Sequence, residues 1–196
     1  MHLRSPLSRF VLRVLAWLPV TFFVWYFAAP ILLWPAAWLA RGVAGIGMSD
    51  LVRSIEQARS VFIFETTLRP GAGVATGAIT VEVNALLYAF GMPLFAALTL
   101  APREARRFRV LAIGYFALLP VVVWGVLADF LKNVAITSGG LVASQAGFSA
   151  AQREVIAFAY QFGSLILPTV IPAIVWVVTH RAFLMRIREQ PTDAPG

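Results

Sequence analysis

The chain has no cysteine and only two histidines, His2 and His180. The missing cysteines rule out a disulfide framework, a thiolate metal site and a cysteine nucleophile. Two imidazoles, both outside the apolar runs, are too few for a histidine-rich metal centre. Charge is scarce as well. Only 13% of the 196 residues are charged, against roughly a quarter in an average soluble domain. There is no GxGxxG, P-loop, HExxH, DxD or serine–histidine–carboxylate set. No cofactor, no metal and no self-sufficient catalytic centre are therefore expected. With 60% hydrophobic residues and a mean hydropathy of +0.81, the chain lacks the polar groups to cover itself in water. Lipid is the expected solvent.

Long apolar runs are abundant, and there are four of them. The first extends from about Phe10 to Ala40, preceded by Arg4, Arg9 and Arg13 and followed by Arg41. A secretory signal has an apolar core of only ~7–15 residues, and Ala28-Ala29 followed by Pro30 is a poor cleavage site, so a retained helix is expected. Pro30 and Pro35 should mark its outer end, with Trp34 and Trp38 in the interfacial aromatic belt. The other runs cover about 85–101, 110–130 and 155–179. The run at 85–101 has 17 residues and is interrupted by Gly91 and Pro93, close to the lower limit for a span. The expected fold is an all-α integral membrane protein, a single membrane domain of four transmembrane helices. A tail at about 189–196, rich in Pro, Asp and Gly, is expected to be disordered.

Between the first two runs lies an insert, about 41–84. Gly42, Gly45 and Gly47 loosen its start, and Ser49 or Asp50 suits the cap of a short helix carrying Leu51, Val52 and Ile55 on one side. Ser60 to Leu68 is rich in β-branched and aromatic residues. Pro70-Gly71-Ala72-Gly73 has turn chemistry, and Ile79, Val81 and Val83 alternate with Thr80, Glu82 and Asn84. Period two around a Pro-Gly break predicts a β-hairpin. From Asp129 to Glu154 the composition turns polar, as expected of a loop.

The charges are distributed unevenly. Under the four-helix reading, the N-terminal arm, the 102–109 loop and the tail share one side, with ten arginines against three carboxylates. The other side has six basic and six acidic residues. The whole surplus of +7 thus lies on one face, and the positive-inside bias places both termini in the cytoplasm and the hairpin outside it. Arg103, Arg106, Arg107 and Arg109 are then expected against anionic headgroups. Nucleic-acid binding is excluded, because no folded basic domain with stacking aromatics is present.

Three groups of polar residues are candidates for contact with a partner or substrate. Asp129, Lys132 and Asn133 have i, i+3 and i+4 spacing at the outer end of the third run, so they share a helix face. Arg153 and Glu154 open the fourth run, and Gln161 lies deeper as its most embedded amide, placed to bond across to another helix. Glu82 and Asn84 sit where the hairpin returns to the membrane, within reach of Glu65. Paired carboxylates can do acid–base work, but these have no histidine, metal set or nucleophile beside them.

Trp17-Leu18-Pro19, Phe23-Val24-Trp25-Tyr26-Phe27-Ala28-Ala29-Pro30-Ile31-Leu32, Trp34-Pro35 and Phe64-Glu65-Thr66-Thr67-Leu68 resemble the exosortase H-associated membrane proteins. The resemblance implies a bacterial inner-membrane protein encoded beside an exosortase. That enzyme is a membrane cysteine transpeptidase that processes proteins with a C-terminal sorting helix. It implies a non-catalytic accessory role in envelope protein sorting and brings no catalytic residues with it. The alternative from another class is a small transport or lipid-handling protein, using kinks at Pro93, Pro120, Pro168 and Pro172 to open a cavity.

Overall fold

A computed structural model describes residues 6–69, 78–102 and 105–189. The first apolar run forms two helices, α1 (Pro6–Leu32) and α2 (Trp34–Gly47), separated at Leu33. The expected outer end at Pro30–Pro35 is therefore a break, not a terminus, and residues 41–47 belong to a helix. Pro35 falls in the first turn of α2, where a missing N–H costs no hydrogen bond and a fixed φ favours the helix. Two carbonyls at the break are answered from elsewhere in the chain. Leu32 O accepts from the Tyr115 hydroxyl at 2.8 Å, and Pro30 O accepts from Gln57 Nε2 at 2.9 Å. The buried face of α2 is Ala36, Ala37, Ala40 and Ala44, and small residues of this kind let backbones approach closely.

Beyond its helical start, the insert differs from its expected form at residues 52–58. Residues 52–58, expected within a short helix, form the strand β1 (Val52–Ala58), which pairs antiparallel with β2 (Val61–Thr66). β2 in turn pairs antiparallel with β3 (Thr80–Asn84), so the expected hairpin is part of a three-stranded sheet in the order β1-β2-β3. Leu51, Val52 and Ile55 fit a helical spacing, but Ile55 is the only fully buried residue of β1, and a bulge between Val52 and Ser54 disturbs the alternation. Arg59 adopts a left-handed φ of 57° in the tight β1–β2 turn. The Pro70–Gly73 turn lies outside the described residues.

The inner face of the sheet consists of Ile55, Phe62, Phe64, Val81 and Val83, all buried. Phe64 stacks on Phe130 with ring centroids 4.4 Å apart, joining the sheet to the helices. Each such buried ring contributes on the order of 1.5–3 kcal/mol.

The remaining chain is helical: α3 (Leu86–Ala89), α4 (Gly91–Leu100), α5 (Arg107–Lys132), α6 (Gly140–Ala146), α7 (Ala150–Gln161), α8 (Leu167–Thr179) and α9 (Arg181–Glu189). π-Helical turns at Asn133–Thr137 and Phe162–Ile166 follow α5 and α7. The stretch expected as a polar loop is thus largely helical, and α7 begins five residues before 155. The start of α7 is fixed by Ser149 and Gln152, each side chain bonding the other's backbone N–H in a capping box. Of the expected tail, only Glu189 falls within the description.

Three helical stretches, 7–32, 107–137 and 150–179, are long and apolar enough to cross a membrane; Leu86–Leu100 is apolar but shorter. Glycine sets the contacts between them. A Cβ at Gly125 would overlap the Tyr88 ring, one at Gly114 the Phe95 ring, and one at Gly91 the backbone of Pro168. Gly125→Leu is expected to lower stability by about 1–3 kcal/mol through overpacking. Gly42→Ala, where nothing lies within 4 Å, should be neutral or stabilising by up to ~1 kcal/mol. Thermal unfolding in detergent would compare the two.

Candidate functional site

The C-terminal end of α5 gathers the densest polar cluster. Its i, i+3, i+4 spacing brings Lys132 Nζ to 2.8 Å from Asp129 Oδ1. Asn133 Nδ2 donates to both Asp129 O (2.9 Å) and Asp129 Oδ1 (3.1 Å). Lys132 Nζ lies 4.0 Å from the centroid of the Tyr160 ring, a cation–π contact from α7. The Tyr88 phenol, from α3, faces both Asp129 and Tyr160. Asp129 is only 8% exposed, so these neighbours take the place of water around its side chain.

The expected trio is therefore brought together, but its groups bind each other. The cluster fastens α3, α5 and α7 at the level where the π turns begin. Tyr88 could not be found from sequence, because its partners are some forty and seventy residues away and nothing marks it within Leu86-Leu87-Tyr88-Ala89.

The sheet carries a second group. Glu82 pairs with Ile63 and Glu65 pairs with Thr80, so the two carboxylates are diagonal neighbours on the solvent face. Glu65 Oε2 accepts from Ser54 Oγ at 3.0 Å. Asn84 Oδ1 accepts from Leu86 N at 3.1 Å, turning the strand into α3. Glu56 also pairs with Ile63, from the other side, and adds a third carboxylate that the sequence reading did not include. None of Glu56, Glu65 and Glu82 is ion-paired among the described residues.

Arg153 and Glu154 lie apart from both groups. They are exposed near the start of α7 and border a crevice of about 400 Å³ walled by Ala135, Gly139, Gly140 and Ala143. The expected cross-helix bond from Gln161 does not form. Gln161 is exposed at the end of α7 and its side chain has no partner among the described residues, while Tyr160 takes the inward position. A different amide makes the long-range contact. Gln145 Oε1 accepts from Arg69 N at 3.0 Å and Gln145 Nε2 donates to Arg69 O at 2.9 Å, tying α6 to the strand region.

On the opposite, basic side, Arg106, Arg107 and Arg109 are exposed, and Arg107 lies 5.1 Å from the Phe108 ring centroid. Arg103 lies outside the described residues. Among the described residues, no three His, Asp or Glu side chains are grouped as metal ligands.

The family description of exosortase H-associated membrane proteins matches residues 4–183. The chain belongs to that family. The match takes in α1 to α8, the sheet and most of the polar groups above, including the Asp129 cluster. Comparison with curated proteins and with solved structures returns no match. This exosortase H-associated protein is thus a membrane protein, and its family name records association with an exosortase.

Asp129→Asn leaves the Lys132 ammonium without its counter-charge and is expected to cost about 1.5–3 kcal/mol. Combining it with Lys132→Met should restore part of that loss, seen as a positive coupling in a double-mutant cycle of detergent unfolding. Glu82→Gln and Glu154→Gln, on exposed faces, should stay within about 0.5 kcal/mol of the parent.

Proposed function

We propose that this chain is a non-catalytic accessory subunit of an exosortase, held in the bacterial inner membrane as one four-helix membrane domain. The observation that carries this reading is family membership across residues 4–183. The bundle is the platform, and the acidic sheet face with the Arg153–Glu154 crevice offers the contact surface outside the cytoplasm. The Asp129–Lys132–Asn133 group keeps that end of the bundle in shape.

Leu86–Leu100 is the short crossing in this topology. At 1.5 Å per residue its 15 residues span roughly 22 Å, below the ~30 Å hydrocarbon thickness. Local thinning or flanking residues must cover the difference. An even number of crossings keeps both arginine-rich termini on the cytoplasmic side.

The start of α5 supports that orientation. Its first turn has no acidic residue and carries Arg107 and Arg109. Positive charge at a helix N-terminus opposes the dipole by about 0.3–1 kcal/mol per residue. Anionic headgroups, attracting each arginine by ~1 kcal/mol, offset this.

Co-expression of the tagged chain with the exosortase, followed by purification in mild detergent, is expected to recover both proteins together. A lone monomer would sink the accessory reading. Reversing the exposed Glu56 and Glu82 to Lys should weaken recovery about tenfold, or ~1.4 kcal/mol, without changing the melting temperature. A reporter fused after Arg109 is expected to be active only in its cytoplasmic form.

A further inference from the structure

The three-stranded sheet has two edges, and they differ. At the β1 edge, Arg41 Nε, from α2, donates to Ile55 O at 2.7 Å, so a helix covers that side. Register fixes what the β3 edge offers. Thr66 N donates to Ile79 O and Ala85 N donates to Ser60 O, both at 2.9 Å. Val81 and Val83 share that parity and turn their N–H and C=O groups to Phe64 and Phe62 of β2. Thr80 and Glu82 are out of step by one residue, so their N–H and C=O groups point away from β2. Both residues are exposed, and no backbone bond joins them to another element among the described residues. An unpaired row of this kind is a template for a further strand.

The side chains say which strand suits it. Glu56 and Glu82 flank Ile63 on the solvent face, and neither is ion-paired among the described residues. A strand added beside β3 sets one residue directly opposite Glu82, where a Lys or Arg is favoured and an acidic residue is repelled. The residues on either side of it turn inward beside Val81 and Val83, which are buried, so apolar side chains suit those positions. A second copy of this chain does not fit. Glu82 is the middle residue of Thr80–Asn84, so antiparallel pairing of two β3 strands over their full length would oppose Glu82 to Glu82.

We propose that β3 takes up an extended extracytoplasmic segment of the exosortase, with a Lys or Arg flanked by apolar residues, as a fourth strand of the sheet. Main-chain bonds to Thr80 and Glu82 hold it, and Glu82 with Glu56 selects its charge. The inference rests on the accessory reading above and adds to it the mode of contact.

The test uses the full chain purified with its exosortase, beside the chain alone in the same mild detergent. Hydrogen exchange read at single amides is expected to slow by about tenfold or more at Thr80 and Glu82 in the complex. Val81 and Val83, bonded to β2 in both samples, should not change. Glu82→Pro removes the free donor and leaves the β2 ladder intact, so recovery of the exosortase should fall about tenfold at an unchanged melting temperature. Exchange in the unsubstituted pair decides the matter even if Glu82→Pro does not fold. A recovered complex in which Thr80 and Glu82 exchange as in the free chain would overturn this inference and leave the accessory reading standing. Failure to recover any complex would overturn both. Concentration-dependent slowing at these amides in the chain alone would assign the edge to a second copy, which also overturns the proposal.

Discussion

Hydrocarbon provides no water to answer a freed carbonyl, and this constraint governs the helices of this chain. Each proline removes an N–H that the carbonyl four residues earlier would have used. The side chains that cross between helices are placed accordingly. Leu98 O would normally meet the N–H of residue 102, but residue 102 is proline; Trp176 Nε1 donates to it instead at 3.0 Å. Tyr115 and Gln57 donate to carbonyls at the break between α1 and α2, where the helix itself is interrupted. Trp124 Nε1 donates to Ala159 O, at 3.1 Å, just before the second π turn. These contacts satisfy backbone groups and set which helices are neighbours. Trp34 and Trp38, the two expected in the interfacial aromatic belt, are exposed instead.

Glycine works with these bonds. Trp124 closes on Gly163, and Tyr88 closes on Gly125, so two glycines on facing helices each admit an aromatic ring. Where helices have no hydrophobic drive to associate, close packing and a few specific hydrogen bonds must do it. The Asp129–Lys132 pair is the polar counterpart. It lies beside the Gly125 contact and shares Tyr88 with it. The end of the bundle next to the sheet is therefore its most specified part, whereas α1 has little buried surface.

The sequence made some of this legible and left some of it hidden, for physical reasons. Three of the long apolar runs announce themselves by length, β2 by its β-branched and aromatic residues, and β3 by strict alternation. β1 stays hidden because an edge strand with one buried residue has too little period-two signal, and the same residues also fit a helix. The stretch from 132 to 152 reads as a loop because polar composition there reflects contact with water, which does not forbid helix. In the candidate site, the i, i+3, i+4 trio is visible because its geometry is local. Tyr88, Tyr160 and the Gln145–Arg69 bond pair positions far apart in the chain, and no local pattern encodes them. The outward facing of Gln161 is hidden for a related reason: depth in a run does not tell which way a residue faces.

That facing depends on the second π turn. Ile156 and Pro168 are both buried, twelve residues apart in what looks like one continuous helix. At about 100° per residue, a regular α-helix would set them roughly 120° apart around its axis, too far to share one buried face. A π turn absorbs one extra residue and takes back about 100°, leaving them about 20° apart. The wide turn at Phe162–Ile166 is therefore what lets α7 face the Asp129 cluster with Tyr160 while α8 presents Pro168, Pro172 and Trp176 to α4. Gly163 lies within it, against Trp124, where any side chain would push the two helices apart. The irregularity belongs to the architecture, since without it the polar cluster and the Trp176–Leu98 bond could not both face the interior of the bundle.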